Sequence, residues 1–215
     1  MTIHNILFDF DGTLVNTNEL IIKSYERVLD TYFPEKYGRE DIIGFIGLSL
    51  PENFREMDPD RAEEMIKLYQ QHNLEHHDEL IEEYEGVAET IAALDQQGYK
   101  LAIVTTKRKQ TAYKGLELME LLPHFSSVIT LDDVEEVKPH SEPLDKAMKE
   151  LGAKPEETMM VGDSQYDILG GKNAGVKTAG VAWTIKGEDY LASFEPDVML
   201  QKMPDLLNYL GVKRT

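Results

Sequence analysis

There is no cysteine in this chain of 215 residues. Disulfides and thiolate metal sites are excluded, and the composition fits a reducing compartment such as the cytoplasm. No run approaches the roughly 18 apolar residues that a membrane span requires. The N-terminus shows no basic stretch followed by an apolar one, so neither a signal peptide nor a membrane partner is expected. Basic residues are scarce: 22 Lys and Arg stand against 40 Asp and Glu, a formal net charge of -18. Such a chain repels the phosphate backbone, which argues against nucleic acid as a partner. The charge serves solubility first. It also sets a condition on any anionic substrate, which needs local positive charge, and a metal ion is the obvious source. Internal repeats and low-complexity stretches are absent as well.

What is present is concentrated near the start. Ile3 to Phe10 is an apolar run that ends in Asp9-Phe10-Asp11-Gly12-Thr13. A run of this kind reads as a buried strand of a parallel sheet. Ligands bind outside the carboxyl ends of such strands. Asp9 and Asp11 therefore stand where an open α/β sheet places its chemistry. Two carboxylates so close repel each other, and a fold that keeps both needs a compensating cation.

Beyond that run, strands and helices alternate. Helices are expected over Gly86–Gln97, Gln110–Met119, Pro143–Leu151, Asp167–Ala174 and Pro204–Leu210, and strands over Lys100–Thr105, Ser127–Thr130, Thr158–Val161, Thr178–Trp183 and Asp197–Leu200. The rhythm predicts an α/β fold, a doubly wound, Rossmann-like parallel sheet with helices on both faces. The stretch from Asn16 to Glu83 breaks it. Asp58-Pro59 reads as a helix start, with Ala62, Met65, Ile66 and Tyr69 on one face. The expected organisation is a core domain of residues 1–15 and 84–215 and an all-helical cap of residues 16–83, placed as a lid. Met57, Met65, Tyr25, Tyr32, Tyr37 and Tyr69 are its expected core, and Gly44–Leu50 its expected lid loop.

Four segments end strands: Asp9–Thr13, Val104–Lys107, Val137–Pro139 and Val161–Ser164, with Asp167 four residues beyond Asp163. Each alone is ambiguous; together they fit a phosphoryl-transfer centre. Asp9, Asp163 and a backbone carbonyl near Asp11 are hard oxygen ligands suited to Mg²⁺. Asp9 can attack phosphorus and form an aspartyl-phosphate. Asp11 can protonate the leaving oxygen and later accept a proton from water. A carboxyl beside other carboxylates tends to a raised pKa, which suits that role. Thr105 offers a hydroxyl and the turn after it backbone N–H donors. Lys138 adds a point charge, and Asp167 can orient Lys138 or bind the ion through water. Lys107, Arg39 and Arg55 are candidate cations for the far side of the substrate. His72 and His76 stand one helical turn apart, but among Glu75, Asp78 and Glu79 they read as a solvated face.

These residues resemble the four motifs of the haloacid dehalogenase superfamily. Asp9-Phe10-Asp11-Gly12-Thr13-Leu14-Val15 is similar to the first, Thr105 to the second, Lys138 to the third and Gly162-Asp163-Ser164-x-x-Asp167 to the fourth. The insert resembles a helical C1-type cap. Phosphatases and phosphomutases of the superfamily carry Asp at the position of Asp11. Phe45-Ile46-Gly47-x-Ser49-Leu50, Leu131-Asp132-Asp133-Val134-Glu135 and Trp183-Thr184-Ile185-Lys186-Gly187 narrow the resemblance to the phosphoglycolate phosphatase group, nearest its pyrophosphate-hydrolysing branch. The resemblance implies an Mg²⁺-dependent hydrolase of inorganic pyrophosphate. Phosphoglycolate or another small phosphomonoester is the alternative substrate, and a β-phosphoglucomutase-type transfer a more distant one. The expected site comprises Asp9, Asp11 and Lys138 as catalytic residues. Gly12, Thr13, Thr105, Thr106, Lys107 and Ser49 are the expected substrate contacts, and Asp9, Asp11, Asp163 and Asp167 the metal ligands.

Overall fold

The computed structural model describes residues 2–212; Met1 and residues 213–215, the outermost parts of the expected core domain, lie outside the described residues. The chain divides into two compact units, Met1–Val15 with Glu83–Thr215, and Asn16–Glu82. The strands in chain order are β1 (Asn5–Phe8), β2 (Val15–Asn16), β3 (Glu82–Glu83), β4 (Lys100–Val104), β5 (Ser127–Ile129), β6 (Thr158–Gly162), β7 (Lys177–Val181) and β8 (Val198–Leu200). The helices are α1 (Asn18–Tyr32), α2 (Arg39–Phe45), α3 (Leu50–Met57), α4 (Ala62–His76), α5 (Val87–Gln96), α6 (Lys109–Leu118), α7 (Glu142–Leu151), α8 (Gln165–Asn173), α9 (Glu188–Ala192) and α10 (Asp205–Leu210).

The first unit is an α/β fold around a six-stranded sheet of order β5-β4-β1-β6-β7-β8. All of its pairings are parallel. β1 lies in the middle and is buried on both faces, which is why Asn5-Ile6-Leu7-Phe8 shows no polar alternation. From β1 the chain builds outward through β4 and β5, then returns to β6 on the other side. That reversal is a topological switch point, where open α/β sheets open a crevice at the carboxyl ends of the strands. The register pairs Phe8 with Ile103 on one side and with Val161 on the other. The three central strands end almost level, and Asp9, Thr105 and Asp163 leave the sheet side by side.

Side chains alternate across the sheet. Leu7, Ala102, Val104 and Met160 face α7, where Leu144, Ala147, Met148 and Leu151 complete a buried cluster. α7 starts with Pro143 in its first turn and stops at Gly152, whose φ is 61°. That left-handed cap costs glycine least. Phe8 meets the ring of Phe125 edge-on at 6.2 Å between centroids.

The second unit contains four helices and no strand longer than the edge of β2 or β3. α1 and α3 pack on α4, and α1 on α2. Tyr25 is its hub, with ring centroids 5.1 Å from Tyr69, 5.5 Å from Phe54 and 5.8 Å from Phe45. The buried amide of Asn53 donates to the Tyr25 hydroxyl at 2.7 Å and to the Phe45 carbonyl at 3.1 Å. Of the six residues expected to form this core, Tyr25 and Met65 are buried, whereas Met57, Tyr32, Tyr37 and Tyr69 are only half-buried. Phe54, Val28, Leu29 and Ile42 supply the rest.

Several local expectations shift. Asp58 closes α3 instead of opening α4, and its carboxylate accepts from the Asp60 and Arg61 backbones at 3.1 Å each, holding a turn that delays the next helix to Ala62. The expected lid loop is narrower, because Gly44 and Phe45 belong to α2 and Leu50 opens α3. The short strands β2 and β3 pair in a sheet of their own, and α9 occupies what reads as loop. No helix among the described residues is long and apolar enough to cross a membrane.

Leu7 is fully buried at the centre of the α7 face. Leu7→Ala should cost about 2–5 kcal/mol of stability, read from urea unfolding followed by circular dichroism. A loss under about 1 kcal/mol would contradict the packing described.

Candidate active site

Three carboxylates, Asp9, Asp163 and Asp167, bring oxygens within 4.8 Å of one another at the carboxyl ends of β1 and β6. They are 8%, 6% and 0% exposed. Asp9 continues the ladder of β1, its N–H donating to the Val161 carbonyl at 2.9 Å, so its position is set by the sheet. Asp163 follows β6. Asp167 lies in the first turn of α8, where it completes a capping box with Ser164: its Oδ2 accepts from the Ser164 N–H at 3.0 Å and the hydroxyl at 2.6 Å.

One ammonium group serves all this charge. Lys138 is 5% exposed, and its Nζ donates to Asp167 Oδ1 at 2.6 Å, to Asp9 Oδ1 at 3.0 Å and to the Val104 carbonyl at 2.8 Å. Its three protons therefore have three acceptors. Burial works against the ammonium, but the charges of Asp167 and Asp9 outweigh it and hold the Lys138 pKa above its ordinary value. Both oxygens of Asp167 are thereby engaged, one with Lys138 and one with Ser164. Asp167 positions the lysine.

The remaining charge is not balanced. Burial, with the nearby Asp167 and Asp11 charges, raises Asp9 to about 7 against the pull of Lys138. Burial and the charges of Asp9 and Asp167 push Asp163 well above the usual carboxylate range. Asp9 Oδ2 accepts no hydrogen bond among the described residues, while Asp163 Oδ1 receives the Thr13 hydroxyl at 3.2 Å. Three buried carboxylates against one ammonium leave two negative charges when all are ionised, and their hard oxygen donors suit a small divalent cation.

The glycines are steric requirements here. Gly12 has a φ of +79°, and a Cβ there would sit 2.4 Å from Asp163 Oδ2; a Cβ on Gly162 would sit 2.3 Å from Asp167 Cβ. Gly12 thus lets the turn after β1 close onto Asp163. The hydroxyl of Thr13, one of the expected substrate contacts, donates to Asp163 Oδ1.

Asp11 stands apart from the triple cluster. Its side-chain partner is the Lys107 ammonium, at 2.9 and 3.2 Å from its two oxygens, while its charge still acts on Asp9. Lys107 also lies 5.8 Å from the centre of the Phe10 ring. Thr105 is buried, and its hydroxyl accepts the Lys107 N–H at 3.1 Å. Thr106 occupies the half-buried turn between them. The structure thus gathers Asp9, Asp11, Gly12, Thr13, Thr105, Thr106, Lys107, Lys138, Asp163 and Asp167 in one unit. Ser49 belongs to the other unit, where it precedes α3 and its hydroxyl donates to Glu52 at 2.5 Å. Arg39 and Arg55, also there, pair with Glu19 and Glu63.

One residue of this region escaped the sequence reading. Lys186, after β7, is half-buried; burial lowers its pKa while the Asp163 charge opposes the shift. Its only signal in the sequence was membership of Trp183-Thr184-Ile185-Lys186-Gly187.

Comparison with known proteins defines the class. Residues 6–181 match the family described as haloacid dehalogenase-like hydrolase, and the chain belongs to that family. It is 59% identical over 213 residues to the pyrophosphatase PpaX of Halalkalibacterium halodurans, covering 99% of each chain. It is 57% identical over 211 residues to the pyrophosphatase PpaX of Bacillus cereus, covering 98% of each. Among solved structures, a haloacid dehalogenase-like family hydrolase of Streptococcus pneumoniae superposes with a TM-score of 0.85 at 23% identity, over 96% of this chain and 98% of that one. CbbY of Rhodobacter sphaeroides, solved with phosphate, gives 0.83 at 22% identity, over 98% and 100%. At those identities the structures establish the fold.

The carboxylate cluster carries a pH signature. An unfolded aspartate has a pKa of about 3.9, and Asp9 in the folded, cation-free protein stands at about 7. The folded state holds the extra proton between those values. The stabilisation that proton brings is full below the unfolded pKa and is lost as pH rises through about 7. A divalent cation binds the ionised form and restores what is lost. The Tm gain on adding Mg²⁺ should therefore be larger at pH 8 than at pH 6 in differential scanning fluorimetry. An equal or smaller gain at pH 8 would contradict the charge imbalance.

Proposed function

We propose that this protein is an Mg²⁺-dependent phosphohydrolase whose substrate is inorganic pyrophosphate, and that it works through a phosphoryl group carried by Asp9. The observation that carries the chemistry is the state of Asp9. It is a buried carboxylate at a strand end, held through one oxygen by Lys138, with the other oxygen unbonded among the described residues. A nucleophile positioned in this way loses little entropy on reaching its reactive geometry. The likeness to the two PpaX pyrophosphatases, across nearly the full length of each, supports the choice of pyrophosphate.

The residues fit the ion by the chemistry of their donors. Asp9, Asp163 and a carbonyl at Asp11 would hold it, with Asp167 engaged in placing Lys138. When bound, Mg²⁺ neutralises substrate oxygens and keeps Asp9 ionised beside them. Asp9 then attacks one phosphorus. The bond from that phosphorus to the bridging oxygen breaks, and the electron pair leaves with the second phosphate. Asp11 gives its proton to that oxygen as it departs. Water attacks the phosphorylated Asp9, Asp11 takes the proton from it, and orthophosphate and the free carboxylate result. Lys138 faces the oxygen of Asp9 and offsets the charge that gathers there. Lys107 shields Asp11 until substrate arrives, when substrate oxygens compete for the ammonium. We assign the choice of leaving group to the turn of residues 46–49, including Ser49, in the helical unit, and expect the enzyme in the cytoplasm.

Asp9→Asn should remove hydrolysis of pyrophosphate by at least about 10³-fold, measured as phosphate release with Mg²⁺. Asp11→Asn should lower turnover and accumulate protein with a mass increment of one phosphoryl group. Substantial turnover in Asp9→Asn would overturn the nucleophile. Comparing kcat/KM for pyrophosphate and phosphoglycolate tests the substrate separately. Faster cleavage of phosphoglycolate would transfer the protein to the monoester phosphatases and leave the role of Asp9 intact.

A further inference from the structure

The histidines of α4 lie outside the carboxylate cluster. His72 and His76 share a face of the helix, one turn apart, and their ring centroids are 4.4 Å apart with planes tilted by 48°. Read as sequence, they formed a solvated face. The fold adds a neighbour. Ser24 of α1 places its hydroxyl 3.1 Å from His72 Nδ1, and the same hydroxyl donates to the Leu20 carbonyl at 2.7 Å. A hydroxyl has a single proton to give, so toward His72 the serine accepts. Neutral His72 therefore carries its proton on Nδ1, and its lone pair is on Nε2. His76 Nδ1 faces the Glu79 carboxylate at 3.7 Å, beyond hydrogen-bond reach, so the ring with a hydrogen-bonded outer partner is that of His72. Burial, with the neighbouring His76, holds the His72 pKa below its ordinary value and keeps the ring neutral.

Metal-ligating histidines are held this way: one ring nitrogen is fixed by an outer acceptor and the other binds the ion. The run His72-Asn73-Leu74-Glu75-His76 also has the His-x-x-Glu-His spacing found on zinc-binding helices. We propose that His72 and His76 form a two-imidazole site for a borderline divalent transition metal such as Ni²⁺, Cu²⁺ or Zn²⁺. Imidazole nitrogen prefers these ions, whereas the carboxylate cluster prefers a hard cation. Among the described residues, the only group of three or more potential ligands is Asp9, Asp163 and Asp167; water completes coordination at the histidines. Glu75 contributes attraction to the local field and Lys23 and Arg27 repulsion. The site is therefore one of moderate affinity.

The test is a calorimetric titration of the full-length protein with Ni²⁺ in excess Mg²⁺. Wild type and Asp163→Asn should each bind one equivalent. His76→Ala should weaken binding by at least about tenfold, and Ser24→Ala by a comparable factor through loss of the tautomer. The His76 side chain is 42% exposed, so that substitution leaves the helix folded, which circular dichroism verifies. Cu²⁺ bound to wild type should show coupling to two nitrogens in its electron paramagnetic resonance spectrum. Unchanged Ni²⁺ binding in His76→Ala, or its loss in Asp163→Asn, would overturn the proposal.

Discussion

Lys138 is the constraint on which the active unit depends. Removing a charge from water is costly, and a buried ion pair persists only when its geometry and hydrogen bonds are complete. Here one buried ammonium gives all three of its protons to Asp9, Asp167 and the Val104 carbonyl. It draws the ends of β1 and β4 and the start of α8 to a single point. It still falls short of balancing three carboxylates, and burial together with the neighbouring carboxylate charges raises Asp9 and Asp163. That shortfall is the functional feature. A cluster neutral by itself would have no use for a cation; one short of positive charge binds a cation and, through it, an anionic substrate. The overall charge of -18 makes this local arrangement a necessity for any phosphate that enters.

The sheet supplies the geometry that the charges exploit. β1, β4 and β6 end nearly level, at the switch in strand order where open α/β sheets take their ligands. Gly12 and Gly162 then allow contacts that any side chain would block, against Asp163 and Asp167 respectively. The apolar packing of Leu7, Ala102 and Met160 on α7 provides the rigid support that positions Asp9 to within the tolerance nucleophilic attack demands.

Much of this could be read before the structure. The alternation of apolar runs with helical periods gave the parallel sheet, because a strand buried on both faces admits no polar alternation. Asp9 and Asp163 were legible because each directly follows a strand. Val137–Pro139, expected to end a strand, lies instead in the loop between β5 and α7, and Asp167 lies in the first turn of α8; Lys138 and Asp167 were legible from their motifs. The partners of the polar side chains were not legible. Thr13 turns to Asp163 and Lys107 to Asp11, contacts between loops far apart in sequence, and the Thr105 hydroxyl accepts the Lys107 N–H within its own turn. Asp58-Pro59 misled because an aspartate closing one helix and an aspartate opening another look alike. The orientation of His72 was equally hidden, since it is set by Ser24, 48 residues away.

The most direct measurement is the titration of the Asp9 carboxyl carbon by ¹³C nuclear magnetic resonance, with and without saturating Mg²⁺. The charge imbalance predicts a midpoint near pH 7 in the cation-free protein and a large downward displacement when Mg²⁺ is present. A midpoint near the ordinary value of about 4 in both states would contradict it.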